Sequence, residues 1–365
     1  MKITLKKENL YETLLLAYKF TSTKFSSSPT LQSIFIEIKD KNIHFYSTNL
    51  NSYFHTREKI KEDGEVKVIF DPKKMIDFLN LLPVGEIELE ITDKEINITQ
   101  GKTRGSFPHT ASEDFPRPPI IKEKTQKIEA GYLTKNLPLV LFATSQDDGR
   151  PVLTGVNVVV ADENLTLVAT DGFRLSLLKL KQEISMSPAL IPAEFLGEII
   201  RQSKDEKQIE FAYLESEKMV FFRIGENEFY SRLIEGDFPP YERVIPADKK
   251  TSAVVDREEL LRGVKLIGVF ARDASNIIIC EFKKSGLTIA PKTDIVNQNT
   301  TTIDCEFEGE EQQVAFNLKF LSDFLSSVSA KQVTIEVLRP DAPVAFRLSG
   351  NKDFLHIIMP VRIQK

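Results

Sequence analysis

The stretch VKVIFDPKKMIDFLNLL, Val66 to Leu82, holds a short apolar strand, a polar break and an amphipathic helix in direct succession. Asp71 supplies an N-cap, and Pro72 sits in the first helical turn, where its missing N–H would be unpaired in any case. The same order opens at Lys2 (KITLKKENLYETLLLAYKF), Lys127 (KIEAGYLTKNLPLVLFATS), Pro188 (PALIPAEFLGEIIRQS), Ser252 (SAVVDREELLRGVKLIGVF) and Gln313 (QVAFNLKFLSDFLSSV). Successive starts lie 64, 61, 61, 64 and 61 residues apart. A period of this regularity marks repeated supersecondary units.

Local signals support the helices. Asp256 with Glu259 three residues on resembles a capping box, and Asn317 is placed to cap the last helix. Leu10, Leu14 and Ala17 fall at helical spacing, as do Leu318, Leu321, Leu325 and Val328. Pro138 lies inside its helical pattern and predicts a late start or a kink. Alternating strands such as EIELEIT and KMVFFRI follow, with Glu86, Glu88 and Glu90 on a polar face. An Asp-Phe-Pro segment appears twice, in ASEDFPRPP at Ala111 and EGDFPPYERVIP at Glu235. The six units therefore nest into three similar α+β domains, 1–120, 126–247 and 251–365, each with two helices packed on two small antiparallel sheets. Boundaries fall at the Pro-rich stretch Phe115 to Ile121 and at Pro246 to Lys250.

With 365 residues and 41% hydrophobic content the chain can fill several cores. Its net charge of −5 is not that of a classical basic nucleic-acid binder, although the distribution of charge matters more than the sum. Cys280 and Cys305, both in apparent strands, read as buried thiols of a reducing compartment, and two cysteines make no zinc or disulfide framework. His44, His55, His109 and His356 are dispersed, without an HExxH grouping. QGKTRG at Gln100 lacks the first glycine of a phosphate-binding loop and reads as a strand-turn; Asp147-Asp148-Gly149 reads as a loop. There is no GxSxG or Cys/His signature. These patterns favour a non-catalytic chain with no cofactor. MKITLKKENL has no apolar signal core, and no run approaches the ~18 apolar residues of a membrane span, so a soluble, cytoplasmic protein is expected.

LTLVATDGFRLSLLKL, Leu165 to Leu180, reads as a β-hairpin closed by a tight Asp171-Gly172 turn. Its tip carries Thr170, Phe173 and Arg174, an aromatic and a cation set toward solvent together. This hairpin, the DFPPYERVIP segment, the terminal MPVRI and the three-domain order together resemble the bacterial sliding clamp family, the β subunit of DNA polymerase III, over the whole chain. The resemblance implies a head-to-tail homodimer closed into a ring on double-stranded DNA, each chain forming half of it. It also implies a processivity factor that tethers the polymerase catalytic subunit, the clamp loader, and other replication and repair proteins.

Carried over by motif, a partner-peptide groove would use Leu153, Thr170, Gly172, Phe173, Arg174, Leu175, Pro239, Arg243, Val244, Asn317, Phe320, Met359, Pro360, Val361 and Arg362. Arg174 and Arg362 would meet peptide carboxylates or carbonyls. Phe173 replaces the His common in the family, and Ile363-Gln364-Lys365 extends past its usual end. Lys24, Lys73 and Arg150 are the implied DNA contacts. The fourth helix departs, with Ala193 and Glu194 where many members carry basic residues. Phe107 and Phe270 are the expected dimer anchors.

Overall fold

The computed structural model describes residues 1–23, 28–271, 276–292 and 299–362. The chain opens with β1 (Lys2–Lys6) and α1 (Lys7–Tyr18), then β2 (Ile34–Lys39), β3 (Asn42–Thr48), β4 (Ser52–Lys59) and β5 (Val66–Phe70). Helix α2 (Lys73–Leu81) leads to β6 (Glu86–Ile91), β7 (Glu95–Gln100), β8 (Thr103–Pro108) and β9 (Thr110–Ala111). Next come β10 (Gln126–Glu129), α3 (Ala130–Asn136), α4 (Pro138–Leu141), β11 (Gly155–Ala161), β12 (Asn164–Thr170), β13 (Arg174–Lys181) and β14 (Ala189–Pro192). Helix α5 (Ala193–Gln202) precedes β15 (Gln208–Leu214), β16 (Met219–Ile224) and β17 (Asn227–Arg232). Then follow β18 (Thr251–Asp256), α6 (Arg257–Ala271), β19 (Ile277–Lys283), β20 (Gly286–Pro291), β21 (Thr301–Ile303), β22 (Cys305–Gly309) and β23 (Gln312–Asn317). Helix α7 (Leu318–Ser327), β24 (Gln332–Val337), β25 (Val344–Leu348) and β26 (Asn351–Ile358) complete the order.

All six strand-to-helix steps are present: β1–α1, β5–α2, β10–α3, β14–α5, β18–α6 and β23–α7. The caps act as the sequence suggests. Asp256 Oδ1 accepts from the backbone N–H groups of Glu258 and Glu259, and Asn317 Oδ1 from that of Lys319. Asp71 Oδ1 accepts from Lys73 N at 3.0 Å, although Pro72 occupies the cap position. Pro138 breaks its helix into α3 and α4, because it offers no N–H to the turn before it. The QGKTRG stretch is the β7–β8 turn, with Gly101 at φ +58°.

Two compact units emerge, Met1–Ala130 with Gln202–Leu233, and Gly131–Arg201 with Ile234–Lys365. Both cut through the expected 126–247 segment, because its strands are distributed over two large sheets. The first unit holds a four-stranded sheet, β1-β6-β7-β8, and a nine-stranded one, β10-β15-β16-β17-β4-β3-β2-β5-β9. In the larger sheet Phe54 of β4 faces Phe229 of β17, and Phe20 joins them at 5.7 Å from each ring. On the other face the register sets Glu210, Arg223, Glu228, His55 and Tyr46 opposite one another across five strands. Arg223 pairs with both glutamates, and His55 Nδ1 lies 2.7 Å from Glu228 Oε2. The Pro-rich stretch is a packed strap rather than a loose linker. Phe115 stacks on Phe35 at 5.1 Å, and Arg117 makes a bidentate pair with the buried Glu37.

The second unit repeats the plan with β21-β20-β19-β23 and β14-β11-β12-β13-β26-β25-β24-β18-β22. Ser176 and His356 face each other across β13 and β26, Oγ to Nδ1 at 2.7 Å, and Phe324 stacks on the imidazole at 4.6 Å. On the opposite face Phe238, Tyr241 and Ile245 pack on a cluster containing Leu175, Leu177, Leu355 and Ile357. The two Asp-Phe-Pro echoes are thus equivalent straps, each with its Phe laid on the sheet of its own unit. Cys280 is buried, which pushes its thiol up to about 12. Cys305 corrects the expectation: it lies in β22 at the rim of the nine-stranded sheet and is half-buried.

Strand order shows what is repeated and what is missing. β10-β15-β16-β17 and β18-β24-β25-β26 follow the plan of β1-β6-β7-β8; β14-β11-β12-β13 and β23-β19-β20-β21 follow that of β5-β2-β3-β4. β17 pairs with β4, and β26 with β13. Their equivalents β8 and β21 are sheet edges.

The histidines make stability pH-dependent. Burial, and then the neighbouring His55, push the His44 imidazole down to about 4, from an ordinary value of 6.5. Burial would raise the Glu228 carboxyl, but hydrogen bonds from His55 and Arg223 outweigh it and hold the group at about 2. A His depressed in the folded state stabilises fully above 6.5, and that stability is lost as pH falls toward 4. After a discount for partial exposure, His44 accounts for about 1–2 kcal/mol. Urea midpoints should therefore fall between pH 6.5 and 4. His44→Gln should flatten part of that slope, leaving the part due to His356, which burial and then Arg174 hold well below its ordinary value.

Candidate functional site

The hairpin β12–β13 closes one residue later than its Asp-Gly pair suggests. Asp171 N bonds weakly to Arg174 O at 3.4 Å, so Gly172 and Phe173 are the central residues. Gly172, at φ +92°, holds the first central position, where a positive φ favours glycine. Asp171 is the organiser: its Oδ1 accepts from the N–H groups of Phe173 and Arg174 at 2.9 and 3.0 Å. Thr170 is buried and structural, donating to Arg174 O and accepting from Gly172 N.

Arg174 departs most from the sequence expectation. Its side chain is 7% exposed, so it is not a free cation at a solvated tip. Its Nε pairs with Asp171 at 3.0 Å and its Nη1 with Asp323 of α7 at 2.8 Å. The guanidinium lies 4.8 Å from the Phe320 ring and 5.8 Å from that of Phe142. Both charged directions are occupied internally, and no peptide carboxylate is needed to satisfy them. Losing one partner of a buried pair costs about 3–5 kcal/mol, less here because Asp323 is 27% exposed. Asp323 and Phe142 were missed from sequence. The available signal was helical spacing, since Asp323 shares a face with Lys319 and Phe320 and also binds Lys319 at 2.7 Å.

The tail meets the tip. Met359 N donates to Phe173 O, and Val361 N to Ala315 O, both at 2.8 Å. Met359, Pro360 and Val361 are half-buried and Arg362 is exposed, while Ile363-Gln364-Lys365 lies outside the described residues. Leu153 and Leu175 are buried; Asn317 caps α7 and Phe320 stands one turn into it. Pro239, Arg243 and Val244 are exposed on the strap, beside Tyr241 and Ile245 of the Leu175 cluster. A cleft of about 620 Å³ opens between α4, the tip and α7, with Phe142, Asp147, Arg150, Phe173, Lys319 and Phe320 in its wall.

Of the implied DNA contacts, Lys24 lies outside the described residues and Lys73 is exposed at the start of α2. Arg150 is half exposed, paired with Asp147, and belongs to the cleft wall. Asp147 also accepts from Gly149 N, which makes the Asp-Asp-Gly stretch a loop. Of the two dimer anchors, Phe107 is buried against Phe78 at 5.6 Å, so its ring serves its own unit. Phe270 is 45% exposed on α6, beside Leu266 at 54% and Val269 at 66%, which sequence reading did not single out. Among the described residues no group of three or more His, Cys, Asp or Glu could hold a metal ion. No described helix is long and apolar enough to cross a membrane.

Comparison with known proteins agrees with this architecture. Models of the DNA polymerase III beta subunit match in chain order, the N-terminal domain at 1–119, the central domain at 127–240 and the C-terminal domain at 242–362. The beta sliding clamp of Treponema pallidum is 28% identical over the full length of both chains; that of Bacillus subtilis is 25% identical over 99% of this chain and all of its own. The structure of the DNA polymerase III beta subunit of Thermotoga maritima superposes with a TM-score of 0.89, at 25% identity and full coverage of both chains. A sliding clamp from Pseudomonas aeruginosa, at 22% identity and a TM-score of 0.88 over both full chains, shares the fold. Such relatives are processivity factors, not catalysts. With three consecutive domain models matched and whole-chain relatives in both comparisons, the chain belongs to the DNA polymerase III beta subunit family, the bacterial sliding clamps.

Proposed function

We propose that this chain is half of a homodimeric ring that encircles duplex DNA in the cytoplasm. There it tethers the polymerase catalytic subunit, the clamp loader and other DNA-acting proteins through the groove around Phe173. One observation carries the ring: β8 and β21 are edges, while their equivalents pair inside the chain as β17 with β4 and β26 with β13. Setting β8 of one copy against β21 of another repeats a junction the chain already makes twice and covers two exposed edges. The apolar strip Leu266, Val269 and Phe270 on α6 supplies burial for the same contact. Family-model limits at 119, 127, 240 and 242 support three domains, 1–120, 126–247 and 251–365.

Duplex DNA carries one negative charge per ~1.7 Å of axis, and loosely placed cations give sequence-independent binding that weakens with salt. Lys73 suits that role. Lys7 does not, since it is buried with its ammonium 5.0 Å from the Tyr11 ring. Beside the tip, Pro239 and Val244 lie exposed on the strap that covers the Leu175 cluster, and the tail is tied to Phe173 through Met359.

Two measurements test the ring. Val269→Asp, at an exposed helical position, should leave the fold intact and weaken the dimer by about thirtyfold or more in sedimentation equilibrium. A monomeric wild type at every concentration would end the dimer reading. Protein loaded on a nicked DNA circle should persist there and run off when the circle is cut, while direct binding to linear duplex stays weak and salt-sensitive. Equal retention on circles and linear DNA would mean an ordinary DNA-binding protein.

A further inference from the structure

We propose that the tip of the β3–β4 hairpin, with Leu50 at its apex and Arg232 beside it, is a second docking surface. It takes an extended peptide that carries an apolar side chain next to a carboxylate. This tip belongs to the first compact unit, whereas the groove around Phe173 belongs to the second. The two tips share one backbone frame. Thr48 Oγ1 donates to Ser52 O and accepts from Leu50 N, both at 2.8 Å, as Thr170 does with Arg174 and Gly172. Asn49 Oδ1 accepts from the N–H groups of Asn51 and Ser52 at 3.0 and 2.8 Å, the part Asp171 plays at the other tip. Arg232 N donates to Asn51 O at 2.7 Å, as Met359 N does to Phe173 O. Leu50 therefore stands where the other tip has Gly172, and its φ of +71° lies in the left-handed region that favours glycine.

Folding alone gives no reason for a leucine at this position. Asn and Asp tolerate left-handed backbone better than bulky residues do, and every other non-glycine residue of positive φ among the described residues is polar or charged. A lone exposed leucine is ordinary on a protein surface. Leu50 is both strained and 44% exposed, and a Gly or Asn would relieve both conditions. What the leucine adds is an apolar side chain at the outermost point of a turn held rigid by its own hydrogen bonds, so little order is lost on binding. Arg232 supplies the charge. It is exposed, its Nε donates to Leu50 O at 3.1 Å, and no described carboxylate pairs with it. At the other tip, by contrast, Arg174 is neutralised by Asp171 and Asp323. Thr48 to Ser52 carry no charge, so a single unopposed cation adjoins a single apolar side chain. The complement is a peptide carboxylate one or two residues from an apolar anchor. A DNA backbone brings repeated phosphates and nothing apolar, and here it would meet one cation only.

The test pans a random dodecapeptide library on the full-length wild type and on Leu50→Asn, which suits left-handed backbone and removes the apolar apex. Wild type should enrich peptides with Leu, Ile, Met or Phe within two residues of Asp or Glu, and Leu50→Asn should not recover them. In titration the selected peptide should bind Leu50→Asn and Arg232→Gln roughly tenfold or more weakly than wild type. Added salt should weaken its binding to wild type and have much less effect on Arg232→Gln. The urea midpoint of Leu50→Asn should equal or exceed that of wild type; a marked fall would make Leu50 a packing residue and overturn the proposal. Equal recovery of the same peptides on wild type and Leu50→Asn would also overturn it. If those peptides were lost instead on Phe173→Ala, they would belong to the groove, and that reading would stand while this one fell. Displacement of the peptide by a duplex oligonucleotide that requires Arg232 would make the tip a DNA contact and overturn the peptide assignment.

Discussion

Pairing between consecutive repeats, β17 on β4 and β26 on β13, is the constraint on which the rest of the chain depends. Each four-stranded half-sheet alone would expose two rows of unpaired backbone groups. Joined, the halves become large sheets with a helical face and a strapped face. Register at the first junction is fixed on both sides at once. Phe54 must meet Phe229 under Phe20, while Glu228 must meet His55 on the reverse. A one-residue slip would turn the charged ladder into the aromatic core. The second junction uses different chemistry, a buried Ser176–His356 pair beneath Phe324. A repeat that paired with the wrong neighbour would leave Glu228 or His356 without its partner, so the difference itself enforces order.

Much of this was legible in the sequence, and the reason is locality. Strand, break and helix are decided within about twenty residues by propensity, capping and period, and all six units formed where the pattern placed them. Sheet sharing was not legible. Nothing within β15 to β17 indicates that they join β4 rather than β13, since that choice rests on partners more than a hundred residues away. The straps illustrate the same limit. Asp-Phe-Pro was visible as an echo and the Pro-rich stretch was read only as a domain boundary, whereas Phe115 and Phe238 are packed against their sheets. Nor was the packing of Phe107 legible: Gly105 leaves room beside β8 for the Phe78 ring, which covers Phe107 from within its own unit.

The site was legible in outline and misread in its charges. The motif identified the tip, the tail and α7, and the backbone bonds from Met359 to Phe173 and from Val361 to Ala315 bring these segments together. An arginine at a hairpin tip invites a solvent-facing role, because the local sequence supplies one carboxylate, Asp171, and shows nothing to bury the stem. Asp323, 149 residues on, completes the neutralisation and Phe320 covers the guanidinium. Arg174 therefore acts as a strut between hairpin and helix.

Repeat arithmetic bears on the proposed ring. Each junction joins the second half of one pattern to the first half of another, as β17 joins β4 and β26 joins β13. With the repeats in linear order, every added repeat brings one half of each kind and consumes one of each, so the number of repeats never removes the remainder. One β8-type edge and one β21-type edge always survive, and they are complementary rather than identical. An identical pair could be satisfied face to face by a twofold contact between like edges. A complementary pair requires head-to-tail contact, which grows without end unless the rotation between copies closes it.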